Sequence, residues 1–294
     1  MPASRCASAG VASFQRVHAL PLLITFSGAA LLAPALLGEL TRAGHTRANY
    51  RGRELPFPFG VLVPAVALLA LIPLAALAKL GAIGVFHPEV APVALYAIGV
   101  ICVGLIDDTL ARGGGAVPRG LRGHGAAALR GERSTGQLKA LGSLGLALLA
   151  ASYLHLSDAR WLLAAAVLVL CTNVFNLLDL RPGRAAKAFV LLGAVLTAGS
   201  GELRPLWSLG LFTGPALVAG AYDLRERAML GDAGASLLGA LGGMWIVLTL
   251  SVTGQLAALA ALVAITAYGE LRSISKLMER TPGLRELDSW GRPS

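Results

Sequence analysis

Val90-Ala91-Pro92-Val93-Ala94-Leu95-Tyr96-Ala97-Ile98-Gly99-Val100-Ile101-Cys102-Val103-Gly104-Leu105-Ile106-Asp107-Asp108 runs without a charge as far as Ile106 and then ends in two adjacent carboxylates. An uncharged run of this length reads as a membrane-spanning helix. An ionised Asp costs about 2.5–3.5 kcal/mol at the bilayer centre on insertion scales. Two of them side by side at a helix end therefore point to a use, such as gripping a metal ion or moving a proton. The plainer alternative is that they mark where the helix leaves the membrane.

The rest of the chain extends this reading. Of its 294 residues 55% are hydrophobic and only 14% are charged, and the mean hydropathy is +0.69. Those values describe a membrane protein rather than a soluble domain. Nine apolar runs predict nine spans, at 19–40, 57–80, 89–107, 139–156, 160–179, 186–200, 206–222, 234–252 and 255–273. The expected fold is an all-α polytopic membrane helix bundle forming a single domain, 1–294. The bundle occupies 18–273 and a cytoplasmic tail 274–294. The first run is longer than the apolar core of a usual signal peptide, so it reads as an uncleaved span.

Basic residues set the orientation. Twenty of the 25 Lys and Arg fall on alternate loops, among them Arg47, Arg51, Arg53, Arg119, Arg122, Arg181 and Arg225. Cytoplasmic loops carry such an excess, so the N-terminus is expected outside and the C-terminus inside; the plasma membrane is the expected location. The net charge of +9 follows largely from this asymmetry and suits lipid headgroups and phosphorylated substrates. It is spread over short loops between spans, which argues against nucleic acid. Cys6, Cys102 and Cys171 show neither metal nor disulfide spacing.

The other polar groups gather on the cytoplasmic side. Asn173, Asn176 and Asp179 recur every third residue and share one helical face. That face suits a polar ligand, although Asn also commonly bonds helix to helix in membranes. Asp223 ends the seventh span. Gly231-Asp232-Ala233-Gly234-Ala235-Ser236 opens the eighth, where a helix N-terminus favours phosphate and an Asp can hold a divalent ion bridging phosphate oxygens. A cap followed by a small-residue packing face explains the same residues. Lys139, at the start of the fourth span, suits phosphate or an interfacial anchor. His124 lies in the basic loop between the third and fourth spans. A transport pathway would place ionisable groups through several membrane depths, and no such ladder is visible.

In their order along the chain these motifs resemble the polyprenyl-phosphate N-acetylhexosamine-1-phosphate transferase superfamily, which includes the phospho-MurNAc-pentapeptide and GlcNAc-1-phosphate transferases. The likeness rests on Gly104-Leu105-Ile106-Asp107-Asp108, on Lys139, on Asn173-Val174-Phe175-Asn176-Leu177-Leu178-Asp179 and on Met229-Leu230-Gly231-Asp232-Ala233-Gly234-Ala235-Ser236. Asn49-Tyr50-Arg51-Gly52-Arg53-Glu54-Leu55-Pro56 looks like the family's segment before its second span, so the likeness covers about 42–240. It implies transfer of a sugar-1-phosphate from a UDP-amino sugar to a polyprenyl phosphate such as undecaprenyl phosphate, with release of UMP. Such a reaction would serve cell-wall or surface-polysaccharide synthesis. It also implies Mg²⁺ as cofactor, and it leaves a homodimer open.

By the same resemblance Asp107 positions or deprotonates the lipid phosphate. Asp108 supports the site and shares the metal with Asp232. Lys139 binds phosphate, while Asn173, Asn176 and Asp179 hold the nucleotide or its diphosphate. Arg181 and Arg184 are expected on the diphosphate as well. The chain departs from the family pattern in two places. Pro182 stands where many members carry a second acid, and no His follows the eighth span, where many members have a His-rich motif. These departures would suit a second class of function, a non-catalytic relative that binds a prenyl phosphate or nucleotide-sugar and regulates a partner.

Overall fold

The computed structural model describes residues 17–81, 83–110 and 135–293. Among the described residues there are nine helices of 17 to 23 residues: α1 (Leu20–Arg42), α2 (Leu62–Leu80), α3 (Val90–Leu110), α4 (Thr135–Ser152), α5 (Asp158–Leu178), α6 (Arg184–Ser200), α7 (Arg204–Leu224), α8 (Gly231–Thr249) and α9 (Val252–Leu271). Two short helices, α10 (Ile274–Arg280) and α11 (Leu284–Ser289), follow. Six of these segments, Leu20–Arg42, Phe59–Leu80, Val90–Thr109, Asp158–Leu178, Gly231–Thr249 and Val252–Leu271, are long and apolar enough to cross a membrane. The protein is thus a multi-pass membrane helix bundle.

Burial follows composition. α8 is rich in Gly, Ala and Leu, is apolar all round, and has 89% of its spanning window buried, which puts it at the centre. It packs most extensively against α5 and α3, while α1 packs mainly on α7. The peripheral helices turn large apolar side chains outward, including Leu31, Ile72 and Leu80. In water such a surface would be a liability; in lipid it is the solvent-facing surface. Small residues bring the central helices close. At Gly104 on α3 a Cβ would sit 2.6 Å from the Cα of Ala233 on α8, so no larger residue fits that crossing. The buried Tyr96 hydroxyl meets Thr172 Oγ1 at 3.0 Å and ties α3 to α5.

Between α1 and α2 the chain is not helical. Thr46–Ala48 (β1) and Glu54–Pro56 (β2) form an antiparallel hairpin, with Arg47 opposite Leu55. Its turn is built by Asn49, whose side-chain Oδ1 accepts the N–H groups of Arg51 (2.8 Å) and Arg53 (3.0 Å). The hairpin exit is stitched to the α7–α8 loop: Met229 N–H donates to Pro56 O, and Phe59 and Gly60 N–H donate back to Met229 and Leu230 O. This hairpin is the one regular element among the described residues that the all-α expectation lacked. The basic loop holding Arg119, Arg122 and His124 lies outside the described residues.

The tail folds back on the bundle. Arg184 Nε and Nη2 donate to the two carboxylate oxygens of Asp288 at 2.8 and 2.9 Å. Lys187 Nζ donates to the carbonyls of Leu287, Asp288 and Trp290. Arg292 grips Asp288 from within the tail and Pro182 O from the α5–α6 turn.

Candidate active site

The ends of α3, α5 and α7 and the starts of α4, α6 and α8 meet at one end of the bundle, beside the hairpin. Lys139, on the first turns of α4, is the hub. Its Nζ lies 2.6 Å from Asp232 Oδ2 on α8, 3.1 Å from Asn176 Oδ1 on α5 and 3.7 Å from Asp107 Oδ2 on α3. Three residues from three other helices therefore converge on one ammonium. Asp107 and Asp232 thus share one ammonium. The Lys139 and Asp107 side chains are 20% and 19% exposed and Asp232 is 42% exposed, so the cluster is open to a ligand from that end.

Asn176 is held on both sides. Its Nδ2 donates to Ser236 Oγ at 2.8 Å and to Thr172 O at 2.8 Å. Ser236 follows Asp232 by four residues and so shares its face of α8. Asn173, one turn earlier, turns away: its Nδ2 donates to Thr266 Oγ1 on α9 at 3.3 Å. That is a helix-to-helix bond of the kind Asn supplies in membranes. The three-residue repeat thus splits between two neighbours.

Asp108 has a different position from Asp107. It is buried, and its Oδ1 and Oδ2 accept the backbone N–H groups of Asp232 (2.9 Å) and Ala233 (3.0 Å). Those are orphan donors of the first turn of α8, and a carboxylate there also complements the helix dipole. Asp108 is a cap supplied by a neighbouring helix. Gly231 makes room for it: φ is +75°, and a Cβ would lie 2.8 Å from Asp108 Oδ2. Asp223, buried at the end of α7, plays a similar part, accepting Gly183 N–H at 2.6 Å and Leu230 N–H at 3.3 Å. Asp179 ends α5, its backbone N–H donating to Phe175 O at 3.1 Å.

Arg181 and Arg184 have protein partners. Arg181 Nη2 lies 2.9 Å from Glu279 Oε1 and its guanidinium stacks 4.3 Å over the Tyr50 ring. Arg184 is buried in its bidentate pair with Asp288 and also donates to Ser275 Oγ. One more organising residue gave little sign of itself in the sequence. Glu226, between Arg225 and Arg227, has a fully buried carboxylate that accepts from Asn49 Nδ2 and Tyr50 OH, both at 3.2 Å, with Arg51 and Arg53 at 3.5 and 3.7 Å. It pins the hairpin to the loop that presents Gly231 and Asp232.

Among the described residues no group of three or more His, Cys, Asp and Glu is arranged to hold a metal by itself. Mg²⁺ is often held by one or two carboxylates together with substrate phosphates, and the Asp107–Asp232 pair fits that requirement. Asp108 fits less well, since both of its oxygens are engaged by backbone N–H groups. Two apolar cavities lie apart from this cluster. One of about 250 Å³ opens between α6 and α7 above Leu238, with Lys187, Leu287 and Trp290 in its wall. Neither a protein-family model nor a curated protein matches the chain.

Proposed function

We propose that the protein transfers a sugar-1-phosphate from a UDP-amino sugar to a polyprenyl phosphate such as undecaprenyl phosphate. The observation that supports this most is the convergence of Asp107, Asn176 and Asp232 on Lys139 at an end of the bundle. A membrane-embedded acceptor with a phosphate at the interface, and a soluble donor with a diphosphate, both need a polar, cation-bearing site at that depth. In this reading the bundle has nine spans, its N-terminus is outside, and the site faces the cytoplasm of the plasma membrane. The motif order shared with the transferase superfamily supports the same reaction.

In the reaction a phosphate oxygen of the lipid attacks the sugar-bearing phosphorus of the donor. A new P–O bond forms, the bond to the bridging oxygen of the diphosphate breaks, and UMP leaves with that oxygen. Lys139 holds phosphate, which competes with Asp232 for the ammonium and so frees carboxylate oxygens. Asp107 positions the lipid phosphate, which is already ionised at neutral pH and needs little base help. Asp107 and Asp232 would hold Mg²⁺, which would supply charge neutralisation for the phosphates and the transition state. Asn176 fixes Lys139 and Ser236. Asp108 and Asp223 act on the framework, by holding the start of α8 and the loop before it.

A second reading is a non-catalytic binder of a prenyl phosphate or nucleotide-sugar that regulates a partner. The pairing of Arg181 and Arg184 with Glu279 and Asp288 favours it, because those cations are then withdrawn from a diphosphate. UMP release by purified protein separates the two. The assay contains undecaprenyl phosphate, Mg²⁺ and a panel of UDP-sugars, with the Asp107→Asn/Asp232→Asn double variant as control. Lipid-dependent release that the control lacks supports the transferase; folded protein that binds but releases nothing supports the binder.

A further inference from the structure

Most basic side chains at the site's end of the bundle are committed. Arg51 and Arg53 lie against Glu226, Arg181 against Glu279, and Arg184 and Arg292 against Asp288. Lys187 is taken by three tail carbonyls. Arg47 is placed differently. It sits in the middle of β1, an exposed strand, and its guanidinium lies 4.4 Å over the ring of Phe57.

Phe57 is a fixed pedestal. It is buried, and its Cε2 lies 2.9 Å from where a Cβ would stand on Gly231, the residue before Asp232. The strand itself is anchored by its pairing with β2 and by the Pro56 and Phe59 bonds to Met229. Through Phe57 the Arg47 guanidinium is thus placed beside the residue that precedes Asp232. A guanidinium stacked on an aromatic face keeps its in-plane N–H groups for an oxyanion. The need for such a group is also on hand. Asp107, Asp108, Asp179, Asp223 and Asp232 crowd this end, and a diphosphate adds further negative charge that one Lys139 ammonium does not offset.

We propose that Arg47 is a second phosphate-contacting cation of this site, held on Phe57 to take the distal phosphate of a nucleoside diphosphate group while Lys139 takes the other phosphate. The inference rests on the transferase reading for the identity of the ligand. The competing role is structural, with Arg47 merely offsetting Asp232.

The test is calorimetric binding of UDP and of UMP to the full-length purified protein with Mg²⁺, alongside a melting curve. Arg47→Ala should weaken UDP about tenfold, as loss of one charged contact does, and change UMP by less than about threefold. Arg47→Lys should recover part of the loss, and Arg42→Ala, at the exposed end of α1, should change neither. If Arg47→Ala does not fold, Arg47→Gln removes the charge while keeping a side chain that lies on Phe57. Unchanged UDP binding in the folded variant overturns the inference alone. So does an equal loss of UDP and UMP with a lower melting temperature. Wild-type protein that binds neither nucleotide overturns the nucleotide-sugar reading and the inference together.

Discussion

Lys139 Nζ lies 2.6 Å from Asp232 Oδ2, joining the first turns of α4 and α8 across residues 93 apart in sequence. An ion pair only partly exposed is costly to break on one side, because the remaining charge is left without its partner. Here that cost is also an opportunity: a phosphate can satisfy the ammonium and a cation the carboxylates.

Asp232→Asn should therefore leave the bundle folded, since Lys139 keeps Asp107 and Asn176, while removing activity by at least about a hundredfold. UMP release and a detergent melting curve on the same preparation check both halves. Near-normal turnover would remove Asp232 from the chemistry.

Asp108 predicts the opposite balance. Asp108→Ala strands two buried N–H groups at the start of α8, a loss of about 2–4 kcal/mol. Asp108→Asn keeps one acceptor and should lose about half as much. Unfolding in graded denaturant would show the order wild type, Asn, Ala, with activity falling alongside stability.

Gly231→Ala should be destabilising by about 1–2 kcal/mol, because the residue has φ +75° and its new Cβ would press on Asp108 Oδ2. The same displacement moves the cap, so turnover should fall with the melting temperature.

The tail clasp carries a pH prediction. Burial pushes the Asp288 carboxyl up, but its hydrogen bonds and charge pairing with Arg184 and Arg292 outweigh this and hold it at about 2, against an ordinary 3.8. A carboxyl lowered on folding adds stability that is fully present above its unfolded pKa and is lost as pH falls through the folded one. The tail should stay docked at neutral pH and down to about 4, and release between about 4 and 2. A spin label at Glu286 reports this. Asp288→Asn should loosen the tail already at neutral pH, seen as faster tryptic cleavage at Arg280 and Arg285.

Each of the long helices overlaps an apolar run that hydropathy picks out, because uninterrupted Leu, Ala and Val leave few other structures in lipid. Limits shifted where tertiary contacts decide them. α8 starts at Gly231, earlier than its apolar run at 234, because Asp108 from α3 caps its first N–H groups. The hairpin at Thr46–Pro56 was hidden, since its turn depends on one Asn side chain and its docking on Glu226, 177 residues beyond Asn49. Within the site, Asp107, Lys139, Asn176 and Asp232 are brought together, as their shared end of the bundle suggested. Arg181 and Arg184 looked available because their acids, Glu279 and Asp288, lie about a hundred residues away. Asn173 and Asn176 looked equivalent by spacing, yet only packing shows that one meets α9 and the other α8.

In the proposed reaction a sugar phosphate, and not a bare sugar, is passed to a lipid phosphate. A UDP-amino sugar labelled with ³²P at its β-phosphate tests this directly, using wild-type protein, undecaprenyl phosphate and Mg²⁺. Label is expected in the lipid phase and unlabelled UMP in the aqueous phase, and neither with Asp107→Asn/Asp232→Asn. Label released as UDP, with sugar alone reaching the lipid, would contradict the proposed reaction.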